Sequence, residues 1–242
     1  MIFLLLLIPC SGIKIAFGSC AGYKNSKNSE LWHSIAKWEP DTFIWLGDAI
    51  YPKKVDFPDI FDSSTRVTWE SLYLTLKNDP GYSQLLRTSK IYGTWDDHDF
   101  GSNDDEYFKY KRATQDLFLS FIGEDPKSSR WDQEGIYASY VFEENNKFLK
   151  VILLDDRTFN DKESSYWGEE QWEWLEHELK EEADAYLIMN GVQFFGSDTV
   201  IEITERVYKS ELSRLLHILK DKKGVILASG DVHYSELSLI HI

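Results

Sequence analysis

Two short stretches concentrate residue types that hold metal ions: Asp96-Asp97-His98-Asp99, with Asn103 just beyond, and Gly230-Asp231-Val232-His233. Gly47-Asp48-Ala49-Ile50-Tyr51 adds a carboxylate and a phenol, and Gly18-Ser19-Cys20 adds a thiol. Taken singly, an Asp of this kind starts a turn or caps a helix. Taken together, carboxylates brought within a few ångströms repel and raise one another's pKa. No Lys or Arg lies inside the Asp48, Asp97 or Asp231 loops, so a metal ion is the economical counter-charge. Ligand type narrows the choice of metal. Asp, Asn and Tyr oxygens are hard donors, His233 is borderline, and Cys20 as thiolate is the one soft ligand. That mixture suits an iron-type ion, with the harder carboxylate positions left for a second cation such as Ca²⁺. Taken alone, a cysteine such as Cys20 is more often a small buried residue ending a strand.

These residues need elements to bring them together, and the chain supplies them. Short β-branched or aromatic runs alternate with helical patterns, the signature of βα units around largely parallel strands. Strands are expected at 13–17, 42–46, 90–95, 148–154, 185–189 and 224–229, and every one of them runs into polar residues. In open α/β sheets ligands bind at the carboxyl ends of the strands, which is where these groups fall. Residues 136–142 alternate and reach the 148–154 run through Glu144-Asn145-Asn146-Lys147, a hairpin that points to a second sheet. Helical periodicity covers 107–121, 169–180 and 207–220, with Glu169 and Glu170 in a first turn where they complement the helix dipole. Residues 52–89 read as an irregular insertion with one or two helices, the better of them 68–77, covering the site and setting substrate range. His33, His177 and His217 lie in helical stretches away from the strand ends and read as ordinary surface or half-buried histidines.

Composition excludes several classes. The chain has 242 residues, enough for one large α/β domain, and its 26 basic and 41 acidic residues leave a formal charge of −15. Such a surface repels phosphate backbones and anionic membranes, so a nucleic-acid scaffold is not expected. With 43% hydrophobic residues, 15% aromatics and 9 Trp, a disordered chain is excluded. The two cysteines, Cys10 and Cys20, cannot make a disulfide framework. No nucleophile elbow, phosphate loop or dinucleotide fingerprint occurs. The apolar run 2–8, followed by Pro9-Cys10-Ser11-Gly12, resembles a short secretory signal peptide cut after Gly12, which makes the mature protein extracytoplasmic; its other reading is a buried first strand. A transmembrane helix is excluded there, since spanning a bilayer takes about 20 apolar residues.

In this order the blocks resemble the alkaline phosphatase D (PhoD-like) branch of the metallophosphoesterases. The residues that carry the resemblance are Phe17-Gly18-Ser19-Cys20, Leu46-Gly47-Asp48-Ala49-Ile50-Tyr51 and Thr94-Trp95-Asp96-Asp97-His98-Asp99-Phe100-Gly101 with Asn103. Leu153-Leu154-Asp155-Asp156-Arg157, the stretch Glu170-Gln171-Trp172-Glu173-Trp174-Leu175, and Ser229-Gly230-Asp231-Val232-His233-Tyr234-Ser235-Glu236 complete them. The resemblance implies a four-layer α/β/β/α sandwich over 13–242, a dinuclear-type site and hydrolysis of phosphate esters with iron and calcium. Carried onto this chain, it makes Cys20, Asp48, Tyr51, Asp97, Asn103, Asp231 and His233 metal ligands. His98 then corresponds to a histidine aimed at the substrate. Asp97 occupies a position where many metallophosphoesterases carry Asn. Relatives continue through further strands of the second sheet, so the expectation is either that C-terminal strands are missing after Ile242 or that the fold is closed some other way.

The chemistry expected is a metal-dependent phosphomonoesterase or phosphodiesterase, in which the cations polarise phosphoryl oxygens and supply hydroxide near neutral pH. His98 is the candidate proton donor to the leaving oxygen or holder of a phosphoryl oxygen. Arg157 is a candidate clamp on substrate charge, or else an ion pair with Asp155 or Asp156. The molecule is expected to be a monomer. Two further readings stand beside this one: a catalytically inactive metal- or phosphate-binding module from a truncated chain, and a hydrolase of other esters using the same metals.

Overall fold

The computed structural model describes residues 3–4, 12–22, 26–52, 63–101, 109–161, 163–195, 207–233 and 237. Within them two four-stranded sheets pack face to face, each covered on its outer side by helices. The first sheet has the order β1 (Phe3–Leu4), β2 (Ile15–Gly18), β3 (Thr42–Leu46), β4 (Lys90–Thr94); β1 is antiparallel to β2 and the rest run parallel. The second has the order β5 (Ala138–Glu144), β6 (Lys147–Leu153), β7 (Ala185–Asn190), β8 (Val225–Ser229), with β5 antiparallel to β6 and the rest parallel. The expected four-layer α/β/β/α sandwich is therefore present.

Strand periodicity explains the layers. On β2, β3 and β4, Ile15, Phe17, Ile44, Leu46 and Tyr92 face the second sheet, where they meet Leu149, Val151, Leu153, Leu187 and Met189. The alternate residues Ala16, Phe43, Trp45 and Ile91 face outward onto the helices. Strands buried on both faces read as unbroken apolar runs, which is why they were visible in the sequence. The outer face of the first sheet is covered by α1 (Ser26–Trp38), α2 (Ser63–Lys77), α3 (Pro80–Thr88) and α5 (Lys111–Ile122), through Trp32, Trp69, Tyr82 and Phe118 among others. Between β4 and α5 lies the one-turn helix α4 (Asp97–Phe100). The second sheet is covered by α6 (Gly168–Glu178) and α7 (Lys209–Leu219), through Trp172, Leu175, Leu215 and Leu219. Burying each such side chain contributes about 1.5–3 kcal/mol, so these three clusters supply most of the favourable free energy.

The β5–β6 hairpin turns as expected at Asn145 and Asn146, both left-handed with φ of 50° and 59°. Asn tolerates that region, and a two-residue turn of this hand matches the strand twist. Residues 63–88 carry the two helices that the expected insertion allowed for, the one expected at 68–77 beginning earlier, at Ser63. They form two regular helices joined at Asp79, whose carboxylate accepts from the Gly81 and Tyr82 amides, and both pack on the first sheet. Trp69, Tyr73, Leu76, Tyr82 and Leu85 of these helices join the core, while Val67 and Leu74 stay exposed; positions 53–62 lie outside the described residues. Of the N-terminal run, Phe3 and Leu4 pair with Gly18 and Phe17, and residues 5–11 lie outside the described residues. Among the described residues no helix is long and apolar enough to cross a membrane.

Candidate metal centre

The carboxyl ends of β2, β3, β4 and β8 meet at one edge of the sandwich. Among the described residues, three of the six non-glycine residues with positive φ are Cys20 at 59°, Asp48 at 56° and Asp231 at 68°, each just past a strand. A side chain in this region costs free energy that the surrounding structure must offset, and such residues gather at functional sites. Close backbone approach across the sheets is made by two glycines. A Cβ on Gly230 would overlap the Leu46 carbonyl oxygen, and one on Gly191 would lie 2.8 Å from that of Trp95.

Ligand atoms of Asp48, Asp97 and His98 all fall within 4.8 Å of one another. Cys20 Sγ lies 3.9 Å from Asp48 Oδ2 and 3.3 Å from the Asp231 carbonyl oxygen. The Tyr51 hydroxyl donates to Asp48 Oδ2 at 2.9 Å and stands 3.4 Å from His233 Nε2. Its ring is tilted against that of His98 with centroids 4.3 Å apart. Thus seven of the sequence-predicted residues, Cys20, Asp48, Tyr51, Asp97, His98, Asp231 and His233, share one edge. Asn103 lies outside the described residues.

Electrostatics favour a cation here. Burial, then the charges of Asp97, Asp99 and Asp231, push the Asp48 carboxyl well above the usual carboxylate range. Burial and the neighbouring Asp48 likewise push the Cys20 thiol and the Tyr51 phenol up. Asp48 Oδ1 is buried and has no hydrogen-bond partner among the described residues. A buried carboxylate oxygen left bare among other carboxylates is costly, and a hard cation removes that cost. The donor set, with oxygens, imidazole and one thiolate, fits the metal chemistry read from the sequence.

Arg157 is a correction. Its side chain is fully buried, with Nε 2.6 Å and Nη2 2.5 Å from Asp96 Oδ1 and Nε 3.7 Å from Asp156 Oδ1. The guanidinium faces two buried carboxylates and has no exposed surface with which to clamp a substrate, so the ion-pair reading holds, with Asp96 rather than Asp155 as its main partner.

Sequence reasoning assigned nothing to Asp96, Asp99 or Tyr73. Asp96 accepts from the Asp97 amide and caps α4, a role its place just before a helical turn could have signalled. Asp99 accepts from the Ala49 and Ile50 amides and from the Tyr73 hydroxyl, so it holds the loop that carries Asp48 and Tyr51. Burial raises its pKa to about 7 despite those donors. His33, His177 and His217 are exposed on α1, α6 and α7, as their ordinary reading required.

A mixed sandwich of two sheets with an acidic, imidazole- and thiol-bearing edge is the architecture of a metallophosphoesterase-like protein. The chain belongs to the PhoD-like phosphatase family, whose match spans residues 15–241. The solved structure of PhoD is similar over 90% of this chain and 51% of its own, with 18% identity and a TM-score of 0.67, a likeness of fold. The chain thus spans about half the length of that protein. A second solved structure aligns with 90% of this chain and 84% of its own at 10% identity and a TM-score of 0.48. No curated protein sequence matches the chain.

Proposed function

We propose that this chain hydrolyses phosphate esters, monoesters, diesters or both, at a cation site held by Cys20, Asp48, Tyr51, Asp97, Asn103, Asp231 and His233. The observation that carries the reading is the convergence of ligand atoms of buried Asp48, buried Asp97 and half-buried His98 within 4.8 Å, with one Asp48 oxygen lacking a hydrogen bond among the described residues. Iron and calcium are the proposed ions; when bound, they supply positive charge to phosphoryl oxygens and make hydroxide available near neutral pH. Tyr51, with its hydroxyl on Asp48, holds that carboxylate in one orientation and sets its ring, tilted, against that of His98. His98 donates a proton to the leaving oxygen, or a hydrogen bond to a phosphoryl oxygen. Burial of Asp48, Asp97 and Cys20 keeps bulk water from screening their charge.

A second reading, an inactive metal- or phosphate-binding module, draws on one observation: the chain spans only about half of PhoD. An ester panel on stripped and reloaded protein separates the two. Chromogenic phosphomonoester, phosphodiester and carboxylic ester are each offered after chelation and again after addition of Ca²⁺ and Fe³⁺. Turnover of the phosphate esters alone, lost on chelation and restored on reloading, is the expected result. Cation uptake without turnover of any ester selects the binding module, and cleavage of the carboxylic ester untouched by inorganic phosphate selects a different hydrolase.

A further inference from the structure

Three consecutive residues leaving β4 are bonded, in order, to residues leaving β6. Thr94 Oγ1 donates to the Leu154 carbonyl at 2.6 Å, Trp95 Nε1 donates to Asp155 Oδ1 at 2.9 Å, and Arg157 donates through Nε and Nη2 to Asp96 Oδ1. Because β4 and β6 belong to different sheets, this series joins the two sheets at the edge where the candidate ligands lie. Its last member reaches furthest. The Asp96 oxygen that receives the guanidinium also accepts the Asp97 amide at 2.8 Å, so the same atom starts the turn that carries Asp97 and His98. On the far side, Asp156 Oδ1 lies 3.7 Å from Arg157 Nε, while Asp156 Oδ2 accepts the Val192 amide at 2.5 Å in the loop after β7. The fully buried guanidinium therefore ties a turn of the first sheet to the loop after β6, and the adjoining Asp156 ties that loop to the one after β7.

We propose that Arg157 is a positioning residue for the cation site: by holding Asp96, it fixes the Asp97–His98 turn against the second sheet, which carries Asp231 and His233. The inference rests on the cation-site reading above. Its physical basis is the planar guanidinium, which places two donors on one carboxylate oxygen while remaining charged beside a second carboxylate. A lysine ammonium keeps the charge but cannot reproduce that fork. Groups that orient ligand-bearing residues from behind typically alter metal affinity or activity by about 10- to 100-fold.

The test is titration calorimetry of the metal-stripped full chain with Ca²⁺ alone as the probe, together with kcat and KM on a chromogenic phosphodiester. Wild type, Arg157→Lys and Arg157→Met are compared below their melting temperatures. Arg157→Lys is expected to stay folded, bind calcium about tenfold more weakly and lose about tenfold in kcat. KM is expected to stay within about twofold, because no contact with substrate has been removed. Arg157→Met, which leaves two carboxylates buried without their counter-charge, is expected to lose more; if it does not fold, the Lys variant decides. Wild-type calcium affinity in folded Arg157→Lys overturns the proposal. So does a raised KM with calcium binding intact, which would make Arg157 a substrate contact. Failure of the wild type itself to bind calcium is a different result: it removes the cation-site reading, and this inference with it.

Discussion

Replacing Asp48 by Asn is expected to lower phosphate-ester turnover by about a thousandfold or more while raising the melting temperature of the cation-free protein. The two effects have one cause. Asp48 is buried with one oxygen lacking a hydrogen bond among the described residues, and the carboxylates of Asp97, Asp99 and Asp231 press on it. Asn keeps the shape and can still accept from the Tyr51 hydroxyl, but it removes a negative charge that burial and the neighbouring carboxylates disfavour, against which the Tyr51 hydroxyl offers one hydrogen bond. Relief of about 1–2 kcal/mol corresponds to a rise of roughly 3–6 °C for a domain of this size. Saturating calcium should then reverse the order, since a ligand at about 100 times its Kd stabilises the wild type by about 2.7 kcal/mol and the variant by less. Differential scanning calorimetry with and without calcium reads both terms. A cation-free variant that melts below the wild type, with turnover preserved, would mean that Asp48 is a structural carboxylate.

His98→Ala is expected to lower kcat by about 100- to 10,000-fold, the usual range for a lost proton donor. The informative quantity is how the loss depends on the leaving group. A nitrophenolate leaves readily without protonation, whereas an alkoxide does not, so the penalty should be far larger for an alkyl phosphodiester than for a nitrophenyl one. The geometry allows another role, because a His98 ring nitrogen lies within 4.8 Å of ligand atoms on Asp48 and Asp97. Were His98 to hold a cation instead, the loss would be equal for both substrates and calcium affinity would fall with it. Parallel rates on the two esters, with calcium binding measured alongside, separate the roles.

The elements that position the site were legible because they are apolar on both faces. The run 42–46 is the observed β3, and the other expected strands agree within two residues. The polar residues that follow these strands were legible for the same reason: Asp48, Asp97, Asp231 and His233 stand where an unbroken apolar stretch stops. What could not be read is pairing across the two sheets. Nothing local links Asp96 to Arg157, 61 positions away, and Asp155 and Asp156 are the nearer carboxylates in sequence. The tertiary fold chose the distant partner because the guanidinium is buried where the two sheet edges meet. Tyr73 shows the same limit: a helix was expected at 68–77, but its hydroxyl meets Asp99 only because that helix packs over the first sheet. The start of α5 at Lys111 rather than at 107 also differs from expectation; residues 102–108 lie outside the described part of the chain.

The formal charge of −15 sharpens the central question, because an acidic protein repels a phosphorylated substrate at long range. Only positive charge bound at the site can reverse that locally. The most direct test is the initial rate on a chromogenic phosphodiester, with Ca²⁺ and Fe³⁺ supplied, for the wild type beside Asp97→Asn. Turnover in the wild type that falls by at least about tenfold in the variant is the expected result, as the carboxylate is one of the groups proposed to hold the cations. Equal rates in the two proteins, or none in a wild type shown to have taken up both ions, would contradict it.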